Sequence, residues 1–417
     1  MKKIVLSLAG VMAAVAFAPE ASAIPAFSRQ TGMACAACHA QHFPVLNGFG
    51  RAFKAAGFTM MGAQEKVEDE NLSIPASLNA AVLLKVRYQK TNGSDAAGAI
   101  SGSSTNGGQW QFPDEYSLFF GGRVADSGAL KVGMMMENNL KAAGAFAAGL
   151  RVPVVVELDS ASVSVIPFTT DSLGAFYGYT ESSNALNRAI RWAENRTQVF
   201  AHQYTGIGQG ASTGIAAVVR SDMGYINVSR FAPQFVAATQ MSSTAVHIAA
   251  TPTIADFATV ISAEFVTGES YTGTTAATKV ATKGNGLTAQ AHGELAGMET
   301  GLYFAYSKAA KGNGTVASQF NASTTNDVKA TQIGADFTVI PHTLSVGANY
   351  LSGTNGAGES EKYITFTGVY DLMQNVAVVA NYSIGSGTAF NAGGASDATV
   401  VGSTGKNLLT LMLESAW

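Results

Sequence analysis

Apolar and polar positions alternate along most of the chain from Ile74 to Trp417. In the stretch AAVLLKVRYQK the two faces of a strand differ, with Val82, Leu84, Val86 and Tyr88 on one face and Leu83, Lys85, Arg87 and Gln89 on the other. A period of two residues is typical of β-strands that separate two environments. Clusters of Gly, Asn, Ser and Thr divide these runs and predict turns and loops. The pattern therefore predicts an all-β region over residues 74–417.

A hairpin is predicted at YITFTGVYDLMQNVAVVANYS, with a five-residue turn from Asp371 to Asn375. The two strands each present one face, formed by Ile364, Phe366, Gly368 and Tyr370 in the first and by Val376, Val378, Ala380 and Tyr382 in the second. The final stretch, NLLTLMLESAW, is predicted to place Leu409, Leu411, Leu413, Ser415 and Trp417 on one face. An amphipathic last strand ending in an aromatic residue resembles the recognition signal of bacterial outer-membrane barrels.

The first 23 residues predict a signal peptide for export. Lys2 and Lys3 form a positive region, Ile4 to Phe17 an apolar region, and Ala21-Ser22-Ala23 a small-residue cleavage site. The mature chain is expected to begin at Ile24.

The composition fits a chain whose apolar residues are spread over a lipid-facing wall. Only 13% of residues are charged, against about 25% in ordinary soluble domains, and glycine is abundant with 45 residues. No apolar run after the signal peptide is long enough for a transmembrane helix. These features predict an outer-membrane antiparallel β-barrel. A secreted soluble β-solenoid is the alternative, and it should show a short fixed repeat, which the chain lacks.

Chain length sets the expected strand number. Residues 74–417 number 417 − 73 = 344, and a spanning strand with its share of turns uses roughly 20 residues, which predicts about 16 strands. An even number places the N- and C-termini on the periplasmic side of the bacterial outer membrane, in contact with its lipid. The net charge of −3 predicts no nucleic-acid partner.

The residues that could bind a cofactor are concentrated in residues 24–61. A charged linker follows at residues 62–73, GAQEKVEDENLS. The stretch TGMACAACHAQHF contains both cysteines of the chain, Cys35 and Cys38, followed directly by His39. The spacing C-x-x-C-H is the attachment motif of c-type haem. The two thiols are expected to bind one haem covalently, and His39 is expected to be the proximal iron ligand.

Two other kinds of site use a similar pair of cysteines. A thioredoxin-like C-x-x-C requires a βαβ context, which the surrounding sequence does not show. A zinc site could use Cys35, Cys38, His39 and His42, but adjacent Cys38 and His39 lack the usual separation of paired zinc ligands. The prediction is therefore one haem c.

The distal iron ligand has several candidates. Met60 is favoured because it follows a predicted helix at a distance that lets the chain fold back across the haem, with Met61 and His42 as alternatives. Met33 is also near, but it is tethered two residues before Cys35. Methionine ligation would raise the reduction potential relative to a second histidine.

A helix is predicted between Asn47 as N-cap and Gly57 as the residue after its C-cap. A segment of this length cannot bury enough surface alone, so haem is expected to form most of its core. Arg51 and Lys54 lie off the apolar face. They are candidate partners of the haem propionates, and a solvated face is the alternative.

The stretch IPAFSRQTGMACAACHAQHFPVLNGFGRAFKAAGFTMMG, followed by a barrel-like remainder beginning near FPDEYSLFFGGRVADSGALKVGMMMENNL, resembles the fused outer-membrane cytochrome-porins of iron-oxidising bacteria. The resemblance implies a monohaem c-type cytochrome segment that plugs or lines a barrel of about 16 strands. It further implies oxidation of extracellular Fe(II), with electrons passed to a periplasmic c-type cytochrome or another acceptor, and so an Fe(II):cytochrome c oxidoreductase.

Two alternative functions remain open from the sequence. One is a general extracellular electron conduit that works in the outward direction, and the other is a diffusion porin with a structural haem plug. The sequence indicates no catalytic side chain and no Fe(II) contact, since loop carboxylates such as Glu359 and Glu361 are expected to be solvating charges.

Overall fold

The computed structural model describes residues 25–41, 44–62, 64–92, 107–139, 149–183, 190, 193–235, 240–271, 279–390 and 406–417. The predicted signal peptide and His42 lie outside these ranges. Over the same ranges, no helix has the length and apolar character needed to cross a membrane.

Within the described residues, sixteen antiparallel strands close into one barrel, which agrees with the number predicted from the chain length. Their bounds are β1 Ala80–Thr91, β2 Gln109–Asp126, β3 Leu130–Asn139, β4 in two pieces Gly149–Arg151 and Val154–Glu157, β5 Ala161–Thr170, β6 Ser212–Ser221, β7 Gly224–Ala232, β8 Ser243–Ala250, β9 Phe257–Thr267, β10 Gly284–Leu295, β11 Met298–Ala309, β12 Val328–Ile340, β13 Leu344–Thr354, β14 Ser360–Met373, β15 Val376–Ser386 and β16 Asn407–Ala416. Each strand pairs with its neighbours in the sequence, and β16 pairs with β1.

The closing pair extends to the last residue of the chain. Val82 donates its backbone N–H to the carbonyl of Trp417 at 2.8 Å, and Trp417 donates to the carbonyl of Val82 at 3.0 Å. Closure satisfies the backbone groups of both edge strands, which a lipid environment cannot do.

The barrel has an apolar exterior and a polar interior. Large apolar side chains project outward from neighbouring strands, among them Ile261, Leu302, Ile333, Ile364, Phe366 and Leu411, which are 42–54% exposed. Polar side chains are buried inside, among them Lys85, Ser117, Asn227, His247, Glu264, Thr288, Asn349 and Thr410. This distribution is the reverse of a soluble protein and is typical of barrels that face lipid. The alternation predicted for residues 82–89 is confirmed, with Leu83, Lys85 and Gln89 on the buried face.

One end of the barrel carries short turns and the other carries long loops. The hairpin of β14 and β15 illustrates the short turns, since Met373 pairs with Val376. The predicted five-residue turn was therefore too long, because a register shift between Asp371 and Met373 lets the strand continue. Both Ala80 and Ala416, the first and last barrel residues, lie at the short-turn end.

Short strands and a 3-10 turn lie in the connections between the barrel strands. A three-stranded sheet joins Glu269–Tyr271, Lys279–Ala281 and Ala317–Ser318. A 3-10 turn lies at Thr388–Phe390 in the loop between β15 and β16, whereas a two-residue strand, Thr253–Ile254, lies in the short turn between β8 and β9.

The N-terminal segment contains helix α1, Pro25–Thr31, a 3-10 turn at Cys35–Ala37, and helix α2, Gly48–Ala55. The charged linker that follows begins a two-stranded ribbon in which Lys66–Glu68 pairs with Ser73–Pro75. Ala26 of α1 packs against the inward-facing Ala81, Leu83 and Phe119 of β1 and β2. The segment therefore lies inside the barrel wall at the short-turn end.

The described parts of the long connection between β5 and β6, residues 171–183, 190 and 193–211, also enter the lumen. This connection carries a 3-10 turn at Ala175–Tyr177 and two short helices, α3 Arg196–Val199 and α4 Ala201–Tyr204. Asn349 of the opposite wall donates to the carbonyl of Val199 at 3.1 Å, and Ser307 bonds to Thr205 at 2.6 Å. We call residues 171–211 the inner loop.

Candidate functional site

The cysteine motif is held by the residue that caps helix α2. Asn47 accepts a hydrogen bond from the backbone N–H of Gly50 at 2.9 Å, which confirms it as the N-cap. Its amide also donates to the carbonyls of Ala36 at 3.3 Å and Ala37 at 3.1 Å. Its backbone N–H donates to the carbonyl of Cys38 at 3.0 Å. One side chain therefore links the start of α2 to the loop that carries both thiols.

Close backbone packing joins α2 to the motif. A Cβ atom on Gly50 would lie 2.0 Å from the carbonyl oxygen of Cys38, so no other residue fits at this contact. Gly57, with φ of +70°, follows the C-cap Ala56 as predicted. The stretch from Asn47 to Gly57 thus forms a compact support for Cys38.

Cys35, Cys38 and His39 line one cavity of about 780 Å³. Cofactor cavities are typically about 300–1,000 Å³. Both cysteines are thiols that are partly buried, and burial together with neighbouring Cys35 raises the pKa of Cys38. The structure thus brings together the three residues that the motif predicts for haem attachment and proximal ligation.

Three phenylalanines form an apolar wall of the same cavity. The ring centroids of Phe27 and Phe58 are 5.1 Å apart in a stacked pair, and those of Phe27 and Phe53 are 5.2 Å apart, edge to face. The rings come from α1, from α2 and from the turn after it, so the fold of the whole segment builds this wall. A planar apolar ligand such as a porphyrin would pack well against it.

The candidate distal ligands lie in different places. Met33 lines the cavity, whereas Met60 and Met61 are not among its lining residues. The carbonyl of Met60 accepts a hydrogen bond from the Gln30 amide at 2.7 Å, so its backbone is held against α1. His42 lies outside the described residues.

The barrel wall has glycines where the segment touches it. A Cβ atom on Gly133 would lie 1.6 Å from the carbonyl oxygen of Gly57, and one on Gly122 would lie 1.9 Å from Oε1 of Gln30. The buried Gln30 side chain also accepts from the backbone N–H of Arg123 at 3.0 Å. The segment and the wall of β2 and β3 are therefore complementary in shape and hydrogen bonding.

Arg51 is buried against the inner loop, so the alternative of a solvated face is wrong for this residue. Its guanidinium Nε lies 3.7 Å from a carboxylate oxygen of Glu181, and its Nη1 donates to the carbonyl of Leu46 at 3.2 Å. Burial lowers the pKa of Arg51 despite the opposing effect of Glu181. Arg51 is not a lining residue of the cavity.

Glu181 contacts several side chains at the interface between the segment and the inner loop. It also accepts from Arg220 Nε at 2.7 Å and from the Tyr179 hydroxyl at 2.6 Å. A buried carboxylate is tolerated because several hydrogen-bond donors and cations compensate for its loss of hydration. Arg51 therefore docks the segment onto the inner loop.

Lys54 is also buried, but unlike Arg51 it lines the cavity. Its Nζ donates to the carbonyl of Thr180 and lies 5.6 Å from the ring centroid of Tyr179. Burial, reinforced by neighbouring Arg151, lowers the pKa of Lys54 to about 7. The solvated alternative is wrong for this residue too.

A second buried polar cluster lies beside Glu181, whose backbone N–H donates to the Tyr225 hydroxyl at 3.0 Å. His247 is 3.3 Å and His202 is 3.8 Å from the two carboxylate oxygens of Glu264, and the Tyr225 hydroxyl is 3.3 Å from His247. Across the part of the chain that the structure describes, no group of three or more His, Cys, Asp or Glu side chains has the arrangement of a metal site.

The inner loop is the part of the site that sequence reasoning missed. Residues 171–211 were included in the barrel, although SLGAFYGYTESS (residues 172–183) interrupts the alternation and groups three aromatic residues. This interruption of the alternation is the sequence feature that could have predicted the inner loop. Which strands the loop would meet across the lumen depends on the closed barrel, which a local pattern does not reveal.

Comparison with known proteins supports the fold. No protein-family model matches the chain, and no curated protein matches it. Among solved structures, OmpT of Vibrio cholerae matches with a TM-score of 0.52 and 12% identity, over 85% of this chain and 100% of that chain. An anion-selective porin from Comamonas acidovorans matches with a TM-score of 0.48 and 15% identity, over 82% of this chain and 99% of that chain. The chain thus shares the β-barrel fold of OmpT, which is an outer membrane protein of Vibrio cholerae.

Proposed function

We propose that this protein is an outer-membrane cytochrome-porin that oxidises extracellular Fe(II) and passes the electron to a periplasmic c-type cytochrome. The observation that carries the proposal is the shared cavity of Cys35, Cys38 and His39 inside a lipid-facing barrel. The assignment to iron rests on the family resemblance of the segment Ile24 to Gly62.

The residues present fit a c-type haem. Cys35 and Cys38 would hold it covalently, His39 would be the proximal ligand, and the wall formed by Phe27, Phe53 and Phe58 would exclude water from the porphyrin face. Bound there, the haem would supply a one-electron redox centre. The chain itself fixes the position of this centre, because Asn47 holds the motif and Arg51 and Gln30 hold the segment in the barrel.

We propose Met60 as the distal ligand. Its side chain does not line the cavity, so ligation would require the chain beyond Phe58 to shift toward the cavity. Met60→Ala should remove the charge-transfer band of methionine-ligated ferric haem, and Met61→Ala should retain it. Loss of the band in Met33→Ala alone would assign the ligand to Met33, the methionine that lines the cavity.

A stopped-flow experiment tests the function. Purified oxidised protein in detergent is mixed with Fe(II), and reduction is followed at the haem absorption bands. We expect reduction in the wild type and none in the double variant Cys35→Ala/Cys38→Ala. An oxidised haem that Fe(II) fails to reduce under any workable condition would contradict iron oxidation and favour the outward conduit.

A further inference from the structure

Two buried cations in the cavity differ from all the others in their partners. The positively charged lining residues are Lys54, Lys85, Arg87, Arg151 and Arg196. Three of them form ion pairs with carboxylates. Lys85 lies 2.7 Å from Glu115, Arg87 lies 2.5 Å from Asp114, and Arg196 lies 3.5 Å from Glu194. Lys54 and Arg151 form no ion pair with any carboxylate in the described ranges.

Arg151 comes from β4 in the barrel wall, and its side chain faces the inner loop. Its Nη1 donates to the carbonyl of Tyr177 at 3.1 Å, and its guanidinium lies 4.3 Å from the ring centroid of the same residue. Arg151 is 7% exposed, and its Nε is buried with no hydrogen-bond partner among the described residues. A charged donor in this state is costly unless an acceptor is supplied.

Lys54 comes from α2 and lines the same cavity as Arg151. Its one hydrogen bond in the described structure is to the neutral carbonyl of Thr180. The two cations are close enough to act on one another, since Arg151 disfavours the protonated form of Lys54. Neither cation lies within ion-pair distance of a carboxylate in the described ranges, although Glu181 is near enough to favour the protonated form of Lys54. Two buried like charges in this state indicate that a ligand of negative charge belongs between them.

The structure assigns Arg151 and Lys54 as the site for the two carboxylates of the haem propionates. This inference rests on the proposed function, because it takes a haem attached at Cys35 and Cys38 as the ligand. The planar fork of Arg151 suits a carboxylate, and Lys54 adds a point charge. Arg51, the other candidate from the sequence, is already engaged by Glu181. One barrel residue and one segment residue would therefore hold the haem jointly.

The test uses haem-loaded protein and two readouts that do not depend on turnover. In Arg151→Gln and in Lys54→Met, the propionate bending bands in the resonance Raman spectrum should shift. The midpoint potential should also fall, because loss of a nearby positive charge favours the oxidised haem. Arg151→Lys should restore most of the potential. Arg230→Gln is the matched control, since Arg230 is an exposed residue of β7.

Unchanged bending bands and potential in both variants, with haem still attached, would overturn the assignment. A purely structural role for Arg151 on Tyr177 predicts that result. If Arg151→Gln in β4 assembles poorly, Lys54→Met still tests the assignment, because Lys54 lies on a different element, α2. Absence of covalent haem from the wild type would instead overturn the proposed function, so the two failures are distinguishable.

Discussion

At the scale of single residues, the protonation of Lys54 depends on the groups around it in the cavity. A lysine that is buried beside another cation holds its proton weakly, which is why its pKa is about 7. A carboxylate placed beside it would move that value back upward. The charge of Lys54 therefore responds to what fills the cavity.

This coupling predicts a pH-dependent midpoint potential. Protonated Lys54 favours the reduced haem, so the potential should fall as pH rises through the pKa of Lys54, at about 7 or higher with a propionate nearby. Redox titrations over a pH series would measure the slope. Lys54→Met should flatten it, whereas Lys66→Met, in the linker ribbon, should not. An unchanged slope in Lys54→Met would show that another group titrates.

At the scale of elements, the wall of β3 and the turn after α2 meet without room for an added methyl group. Gly133→Ala should displace the segment at a cost of about 1–3 kcal/mol, because its Cβ would meet the carbonyl oxygen of Gly57. Limited proteolysis between Thr31 and Gly62 would detect the displacement. Gly368→Ala is the control, since a Cβ there would have only one neighbour, at 3.9 Å. Equal protection of the segment in both variants would contradict the packing.

Local sequence patterns predicted the strands and helix caps better than the contacts between distant parts of the chain. The alternation around Lys85 and the caps at Asn47 and Gly57 were predicted correctly, because each depends on residues close in sequence. The burial of Arg51 depends on Glu181, which is 130 positions away and enters the lumen only once the barrel has closed. The partners of Arg151 are equally hard to predict from the sequence, because it is the assembled cavity that leaves this residue without an ion pair among the described residues.

At the scale of the whole molecule, the N-terminal segment and the inner loop share the lumen. Barrels of 16–18 strands otherwise leave an aqueous channel. Because Arg51, Glu181 and Gln30 connect the two insertions and the wall, we expect little room for solutes to pass.

Conductance in planar bilayers would test this obstruction. The intact protein should conduct poorly, and a variant lacking residues 25–62 should conduct more. The haem-free variant Cys35→Ala/Cys38→Ala should remain poorly conducting, because the docking contacts belong to the polypeptide. Solute flux through the intact protein at the level of open porins would instead support a diffusion porin with a haem plug.

The position of α1 also constrains the order of events during biogenesis. The barrel seam is the pairing of β1 with β16, and Ala26 packs on Ala81 and Ala416 at that seam. An enzyme that forms thioether bonds needs access to both thiols, which are partly buried and line a cavity of the closed barrel. Haem ligation would therefore precede insertion into the outer membrane, so the periplasm would hold a haem-loaded, unclosed chain awaiting the barrel assembly machinery.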